Sequence, residues 1–242
     1  MFPENPLDSF SGFLVLMVNI YHPEQPPIVS ELFFLSFDYL GVAIFALSGG
    51  LVAQEKRMDV LGFAFLGCLA GIGGGTIRDL LLDRAVFWLN SPGVILAAAG
   101  VSVMLFFFRG MSSAARSKAI KWLDAIGLAG YCVLGAAIAL GSGATGIACI
   151  MAGFFTAVGG GLLRDIVAGR PPYILTGGEF YGGAALAGAS VFLLTQSLPV
   201  PYPHIIGFVT ALLVRAGGIY YGWGFPVYEK EVYSMILKKP KL

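Results

Sequence analysis

Charge is scarce in this chain. Of its 242 residues, 12% are Asp, Glu, Lys or Arg and 57% are hydrophobic, and soluble domains carry about 25% charged residues. With a mean hydropathy of +0.81, the polar coat of a soluble domain is excluded. Basic residues are absent before Lys56, so the positively charged start of a secretory signal is missing. The apolar patch Phe13 to Ile20, set among Pro3, Pro6, Pro23, Pro26 and Pro27, is short for a membrane span. Residues 1–31 therefore read as an extended or interfacial segment. Only three cysteines occur, Cys68, Cys132 and Cys149. They are scattered through apolar runs without CxxC spacing, which argues for packing rather than a disulfide frame or zinc site. The two histidines, His22 and His204, sit beside prolines and make no metal site. Nucleophile elbows, HExxH and Walker loops are missing, so no enzyme is expected and no cofactor. The net charge of +1 says little about partners, and no basic patch with interleaved aromatics points to nucleic acid.

What the chain does have is a series of apolar runs about 20 residues long, the length that crosses a bilayer as a helix. Seven spans are expected in an all-α membrane protein: Leu32 to Ala53, Val60 to Leu82, Pro92 to Phe108, Trp122 to Leu140, Gly146 to Val167, Phe180 to Thr195 and His204 to Tyr221. The basic residues orient them. Lys56, Arg57, Arg109, Arg116, Lys118, Lys121, Arg170 and the tail lysines Lys230, Lys238, Lys239 and Lys241 fall on one side, and only Arg84 lies in the loops of the other. The positive-inside rule makes the richer side cytoplasmic, placing the N-terminus outside and the C-terminus inside.

The chain also repeats itself. Gly73-Gly74-Gly75-Thr76-Ile77-Arg78-Asp79 returns 86 positions later as Gly159-Gly160-Gly161-Leu162-Leu163-Arg164-Asp165. At the same offset Asp38 falls on Asp124, Gly41 on Gly127, Gly49 on Gly135, Gly67 on Gly153, Arg84 on Arg170 and Leu89 on Leu175. A three-span unit repeated once must enter the membrane from opposite sides. The expected organisation is an interfacial segment (1–31), a first repeat (32–108), a basic cytoplasmic loop (109–121), a second repeat (122–196), a seventh helix (203–222) and a cytoplasmic tail (223–242). Inverted repeats of this kind are common in transport folds, with sites at discontinuous helices near the midplane.

The two glycine triplets are the candidate site. Glycine costs about 1 kcal/mol against alanine in a helix, so three in a row suggest breaks in spans two and five. A break frees carbonyl oxygens suited to cations and helix N-termini suited to anions. The alternative use of Gly73, Gly74, Gly75, Gly159, Gly160 and Gly161 is close helix packing. Arg78-Asp79 and Arg164-Asp165 are costly in a bilayer. Symmetry suggests crossed pairs, Arg78 with Asp165 and Arg164 with Asp79, either bolting the helices together or facing an aqueous path. Asp38 and Asp124, near the starts of spans one and four, are placed to attract cations at the two mouths or to pair with basic residues. Arg116, Lys118 and Lys121 form a basic cluster suited to anionic lipid headgroups.

GGGTIRD (Gly73 to Asp79) with the downstream VFWL (Val86 to Leu89), and GGGLLRDIVAGRPPYIL (Gly159 to Leu175), resemble the bacterial TRIC-like family. These are relatives of the trimeric intracellular cation channels, also described as glycine-transporter-like. The resemblance covers about residues 32 to 222. It implies seven helices, an inverted three-helix repeat, a homotrimer with a pore in each protomer, and permeation of monovalent cations, chiefly potassium, past kinked helices two and five. Its motif maps the pore region onto both glycine triplets and both Arg-Asp pairs. The first repeat departs from the family pattern at Asp83, where glycine is common, and at Ala85-Val86, where proline is expected, so its loop is expected to differ in shape. Two other readings stand beside the channel: a carrier for a small zwitterion such as glycine, and a membrane scaffold without transport.

Overall fold

A computed structural model describes residues 27–108, 111–175 and 179–225, with side chains from Tyr39 onward in the first helix. The side chain of Asp38, Arg109, the tail lysines and most of the 1–31 segment lie outside the described residues. Among the described residues eight helices run in order: α1 (Pro27–Glu55), α2 (Val60–Leu81), α3 (Phe87–Asn90), α4 (Gly93–Phe107), α5 (Ser113–Gly141), α6 (Gly146–Val167), α7 (Gly182–Leu194) and α8 (Tyr202–Tyr221). The described residues contain no strand. Four helices, α2, α5, α6 and α8, are long and apolar enough to cross a membrane, and the described part of α1, α4 and α7 are shorter apolar helices. Large side chains such as Leu61, Phe65, Leu96, Ile147 and Leu213 lie on the exterior, as expected of a multi-pass membrane protein.

Local chemistry sets the helix ends. Asp59 caps α2 by accepting the Gly62 N–H at 2.8 Å, and Ser112 caps α5 through Ala115, satisfying donors that would otherwise be orphaned. The Ser112 cap starts α5 earlier than the expected fourth span. Residues 113–121, read above as loop, are helical, and Arg116, Lys118 and Lys121 ride on the first turns of α5. At the other end of the chain α1 begins at Pro27, a residue whose fixed φ suits the first helical position, so the last residues of the expected 1–31 segment are helical too.

The repeat is visible in the helix boundaries. Pro27 and Ser113, Glu55 and Gly141, Val60 and Gly146, and Leu81 and Val167 are each 86 positions apart. All four helices close with the same bond, from a backbone N–H back to a carbonyl five residues earlier: Met58 to Ala53, Arg84 to Asp79, Ala144 to Ala139 and Arg170 to Asp165. That closure needs a left-handed residue just before the donor. Gly143 and Gly169 supply it in the second repeat, and Arg57 (φ 54°) and Asp83 (φ 51°) in the first. The substitution at Asp83 therefore leaves the turn in the same left-handed form as Gly169, contrary to the expected difference there. Aspartate tolerates this region better than most residues.

The glycine triplets do not interrupt their helices. Residues 60–81 and 146–167 are helical throughout, which corrects the expected breaks in spans two and five. The reason is packing. A Cβ on Gly74 would collide with the carbonyl oxygen of Thr156, and one on Gly160 with that of Ala70. A Cβ on Gly73 would lie 2.9 Å from Leu163 Cδ1, and one on Gly159 2.9 Å from Ile77 Cδ1. These contacts exchange under the 86-residue offset, and they run in opposite directions along the two helices. α2 and α6 therefore cross antiparallel, backbone against backbone, about a pseudo-two-fold axis. The same axis relates Gly41, facing the Tyr131 ring, to Gly127, facing the Phe45 ring, and those rings stack at 5.3 Å between α1 and α5.

Two substitution pairs test this packing. Gly74→Ala or Gly160→Ala forces a methyl into backbone and should cost about 1–3 kcal/mol or more, whereas Gly100→Ala and Gly130→Ala, which meet nothing within 4 Å, should be neutral or stabilising. Asp83→Gly should stabilise by about 1 kcal/mol by relieving the left-handed strain. Thermal unfolding in detergent measures both.

Candidate functional site

Each flank of the α2–α6 crossing carries a buried Arg-Asp pair. On α6, Arg164 is fully buried and Asp165 nearly so. Arg164 Nε bonds Asp165 Oδ1 at 3.0 Å. Its two terminal nitrogens fork onto Asp124 of α5, Nη1 to Oδ1 at 2.7 Å and Nη2 to Oδ2 at 2.8 Å. Ser48 of α1 completes the group. Its hydroxyl donates to Asp124 Oδ1 at 2.7 Å and accepts from Arg164. A guanidinium fork matches a carboxylate in this bidentate manner, which makes the contact strong and directional. One cation against two carboxylates leaves this buried cluster with a formal excess of one negative charge.

On α2, Arg78 bonds its neighbour Asp79 at 2.8 Å, with both side chains buried. The other oxygen of Asp79 accepts the Phe87 N–H at 2.9 Å, and the guanidinium lies 5.7 Å from the Phe87 ring centre. Trp88 of α3 donates from its indole to Thr76 at 2.9 Å, so the single turn of α3 is tied down onto α2 beside the pair. Gly75 makes this possible, since a Cβ there would stand 2.6 Å from the Phe87 ring.

These positions revise the expected pairing. The ion pairs form within each repeat. Among the described residues neither Arg164 with Asp79 nor Arg78 with Asp165 makes a bond. Arginine is long enough to fold back onto the adjacent aspartate, although their Cβ atoms diverge along the helix. Asp124 is also not at a mouth. It is 1% exposed, drawn inside by the Arg164 fork.

The basic cluster divides. Arg116 donates to the Met111 carbonyl at 3.1 Å, Lys118 is exposed, and Lys121 is held by Glu179 at 2.5 Å. Glu179 was not singled out from the sequence, and neither were Ser48, Tyr181 and Arg215. Arg215 of α8 is 1% exposed and lies 2.9 Å from Glu179 Oε2 and 5.2 Å from the Tyr181 ring centre. A lone arginine inside the seventh apolar run was the available signal, because intramembrane charge is costly unless it has a task. Burial alone would raise the Glu179 pKa, but Lys121 and Arg215 outweigh it and hold it below the usual carboxylate value. The stabilisation from this bridge is thus complete above the ordinary carboxylate pKa and is lost as pH falls through the depressed one.

Contacts between chain segments also sort the ends of the helices. Lys56 reaches the Gly169 carbonyl at 3.4 Å and Arg170 reaches Glu55 at 3.4 Å, which puts these basic loops on one face. Arg84 bonds Ser142 at 3.0 Å on the other.

The sequence model of a family described as "Glycine transporter" matches residues 35–110 and again 121–197. The inner membrane protein YadS of Escherichia coli K12, a UPF0126 protein, is 34% identical over 198 residues, covering 80% of this chain and 95% of its own. Among solved structures, the TRIC trimeric intracellular cation channel orthologue from Rhodobacter sphaeroides is 43% identical with a TM-score of 0.74, covering 78% of this chain and 98% of that one. A structure addressing conductance through TRIC cation channels is 33% identical with a TM-score of 0.71, covering 82% and 98%.

Removing one partner of the buried fork leaves a charge without compensation. Asp124→Ala should therefore destabilise the protein by about 3–5 kcal/mol, while Lys118→Ala at the exposed position should stay within about 0.5 kcal/mol. Chemical or thermal unfolding of the two purified variants gives the comparison.

Proposed function

We propose that this chain, which belongs to the TRIC-like glycine transporter family, is a cation channel that passes monovalent cations, potassium among them. The path runs between α2 and α6 within each protomer of a homotrimer. Seven helices span the membrane, with α3 as a one-turn element between α2 and α4. The membrane is the bacterial inner membrane, with the N-terminus outside and the C-terminal tail in the cytoplasm. The placement is supported by the E. coli relative's description as an inner membrane protein and by the basic residues that share one face.

One observation carries the channel reading. The chain matches a trimeric intracellular cation channel orthologue over 98% of that structure at 43% identity. The site chemistry agrees in sign. Arg164, Asp124 and Asp165 together leave an excess negative charge in a buried, low-dielectric position, where a cation is favoured over an anion. At the crossing the Gly73–Gly75 and Gly159–Gly161 segments place backbone rather than side chains between the repeats, so a small separation of α2 from α6 admits a dehydrated ion beside Thr156 and the two Arg-Asp pairs. On this reading the closed α2–α6 contact is the non-conducting arrangement. No cofactor takes part. At about 1.5 Å per residue, the 29 residues of α5 exceed a hydrocarbon core of about 30 Å, so Arg116 and Lys118 reach the headgroup layer and contact anionic lipid.

The family's description favours a second reading, a carrier for glycine. The two readings separate in one experiment. Purified protein in planar bilayers under a potassium gradient should show unitary currents that reverse near the potassium equilibrium potential. Absence of unitary current at every voltage, with saturable counterflow of labelled glycine in proteoliposomes, would establish the carrier instead.

A further inference from the structure

A second charged group lies apart from the crossing, at the face that carries the basic loops. Three separate elements meet there. Lys121 comes from the first turns of α5, Glu179 from the α6–α7 connection, and Arg215 from the last turns of α8. Glu179 is shared, with Oε1 on Lys121 at 2.5 Å and Oε2 at 2.9 Å from Arg215. Two residues after Glu179 stands Tyr181, 4% exposed. Its ring lies beneath the Arg215 guanidinium at 5.2 Å and stacks on Tyr173 at 6.4 Å. Its hydroxyl lies 2.9 Å from the point a Cβ on Gly161 would occupy, and that point is 3.8 Å from Arg164 Nη2. The order from one face inward is therefore Lys121–Glu179–Arg215, then Tyr181, then the third glycine of the triplet and the Arg164 cluster. The stretch is anchored once more where the Phe180 N–H donates to the Trp223 carbonyl at 2.7 Å, beyond the end of α8.

Arg215 is an unusual choice for a simple staple. It is almost wholly buried, yet among the described residues Nε finds no hydrogen-bond partner and Nη1 faces Glu179 at 2.9 Å without hydrogen-bond alignment. A group held by charge and by a ring face, rather than by a closed set of directional bonds, can let go without leaving many new unsatisfied donors. Lys121 and Glu179 are also about a quarter to a third exposed, so the outer arm of the bridge exchanges with water while the inner arm does not.

We propose that Lys121–Glu179–Arg215 is a latch that holds Tyr181 over Gly161 and the Arg164 cluster, setting how often the path opens without lining it. The proposal rests on the channel reading. Glu179 and Arg215 are positioning residues, acting through Tyr181. α8, which has no counterpart in the repeat, thereby gains control of the α6 side of the crossing.

The test uses full-length protein in planar bilayers with symmetric potassium. Glu179→Gln keeps the shape and removes the charge, and it should raise open probability roughly two- to tenfold with unitary conductance unchanged. Lys121→Met should shift open probability the same way by less, and Glu179→Asp should restore wild-type gating. Unchanged open probability in both Glu179→Gln and Lys121→Met, or a changed unitary conductance in either, overturns the latch. If Glu179→Gln fails to fold, Lys121→Met alone decides by the same criterion. Hydrogen exchange at the amides of Phe180 to Gly183 supplies a readout independent of current. Faster exchange in Lys121→Met and Glu179→Gln than in wild type supports release of the stretch, and equal exchange overturns it. Should wild-type protein carry no current, the channel reading fails, and the exchange comparison still passes or fails the latch.

Discussion

Everything in this structure depends on two helices touching without side chains between them. Lipid tails are as apolar as leucine, so helices in a bilayer gain little by hiding apolar surface from each other and associate through close van der Waals contact. Glycine is intrinsically poor in a helix, and two triplets make α2 and α6 weak helices in isolation. Their compensation is the crossing itself, where Gly74 lies against Thr156 and Gly160 against Ala70. Ile77 then covers Gly159 and Leu163 covers Gly73. Because the contact is antiparallel and symmetric, it sets the relation between the repeats and places both Arg-Asp pairs at equivalent distances from one axis.

The buried charges follow from that placement. A guanidinium as deeply enclosed as Arg164 is tolerable only with its fork filled, and the α5 carboxylate of Asp124 fills it. Here the two repeats part company. Ser48 of α1 joins the Arg164 cluster, whereas the residue 86 positions later is Leu134. The second cluster is thus bound into the first repeat. On α2 the local elements add their own contacts: Asp79 holds the Phe87 amide and Thr76 holds the Trp88 indole. Within a symmetric frame, the Arg164 cluster thus draws in Ser48 from the other repeat, while Asp79 is tied to the turn of α3.

Much of the frame was legible from residue pattern. The expected span Gly146 to Val167 matches α6 in full, Val60 to Leu82 matches α2 within one residue, and the 86-residue offset recurs in the helix ends. The glycine breaks were not legible, because glycine weakens a helix and permits close approach by the same missing Cβ, and only the neighbour's position separates the two. The crossed pairs failed for a related reason. Helical geometry directs adjacent Cβ atoms apart, but arginine has enough bonds to turn back on Asp79 or Asp165. Of the two readings of Asp124, a carboxylate at a mouth or a partner for a basic residue, the second is the one found, with the Arg164 fork holding it inside. Arg215 and Glu179 lie far apart in sequence and have no repeat partner to draw attention to them.

Amide hydrogen exchange across the two glycine triplets, in protein reconstituted into lipid, tests the crossing most directly. Two unbroken helices pressed together predict strong protection of residues 73–75 and 159–161, comparable with the buried middle of α5. Exchange in those peptides as fast as in the exposed turn at residues 142–145 would mean that the helices are broken there, and would contradict the side-chain-free contact on which the arrangement depends.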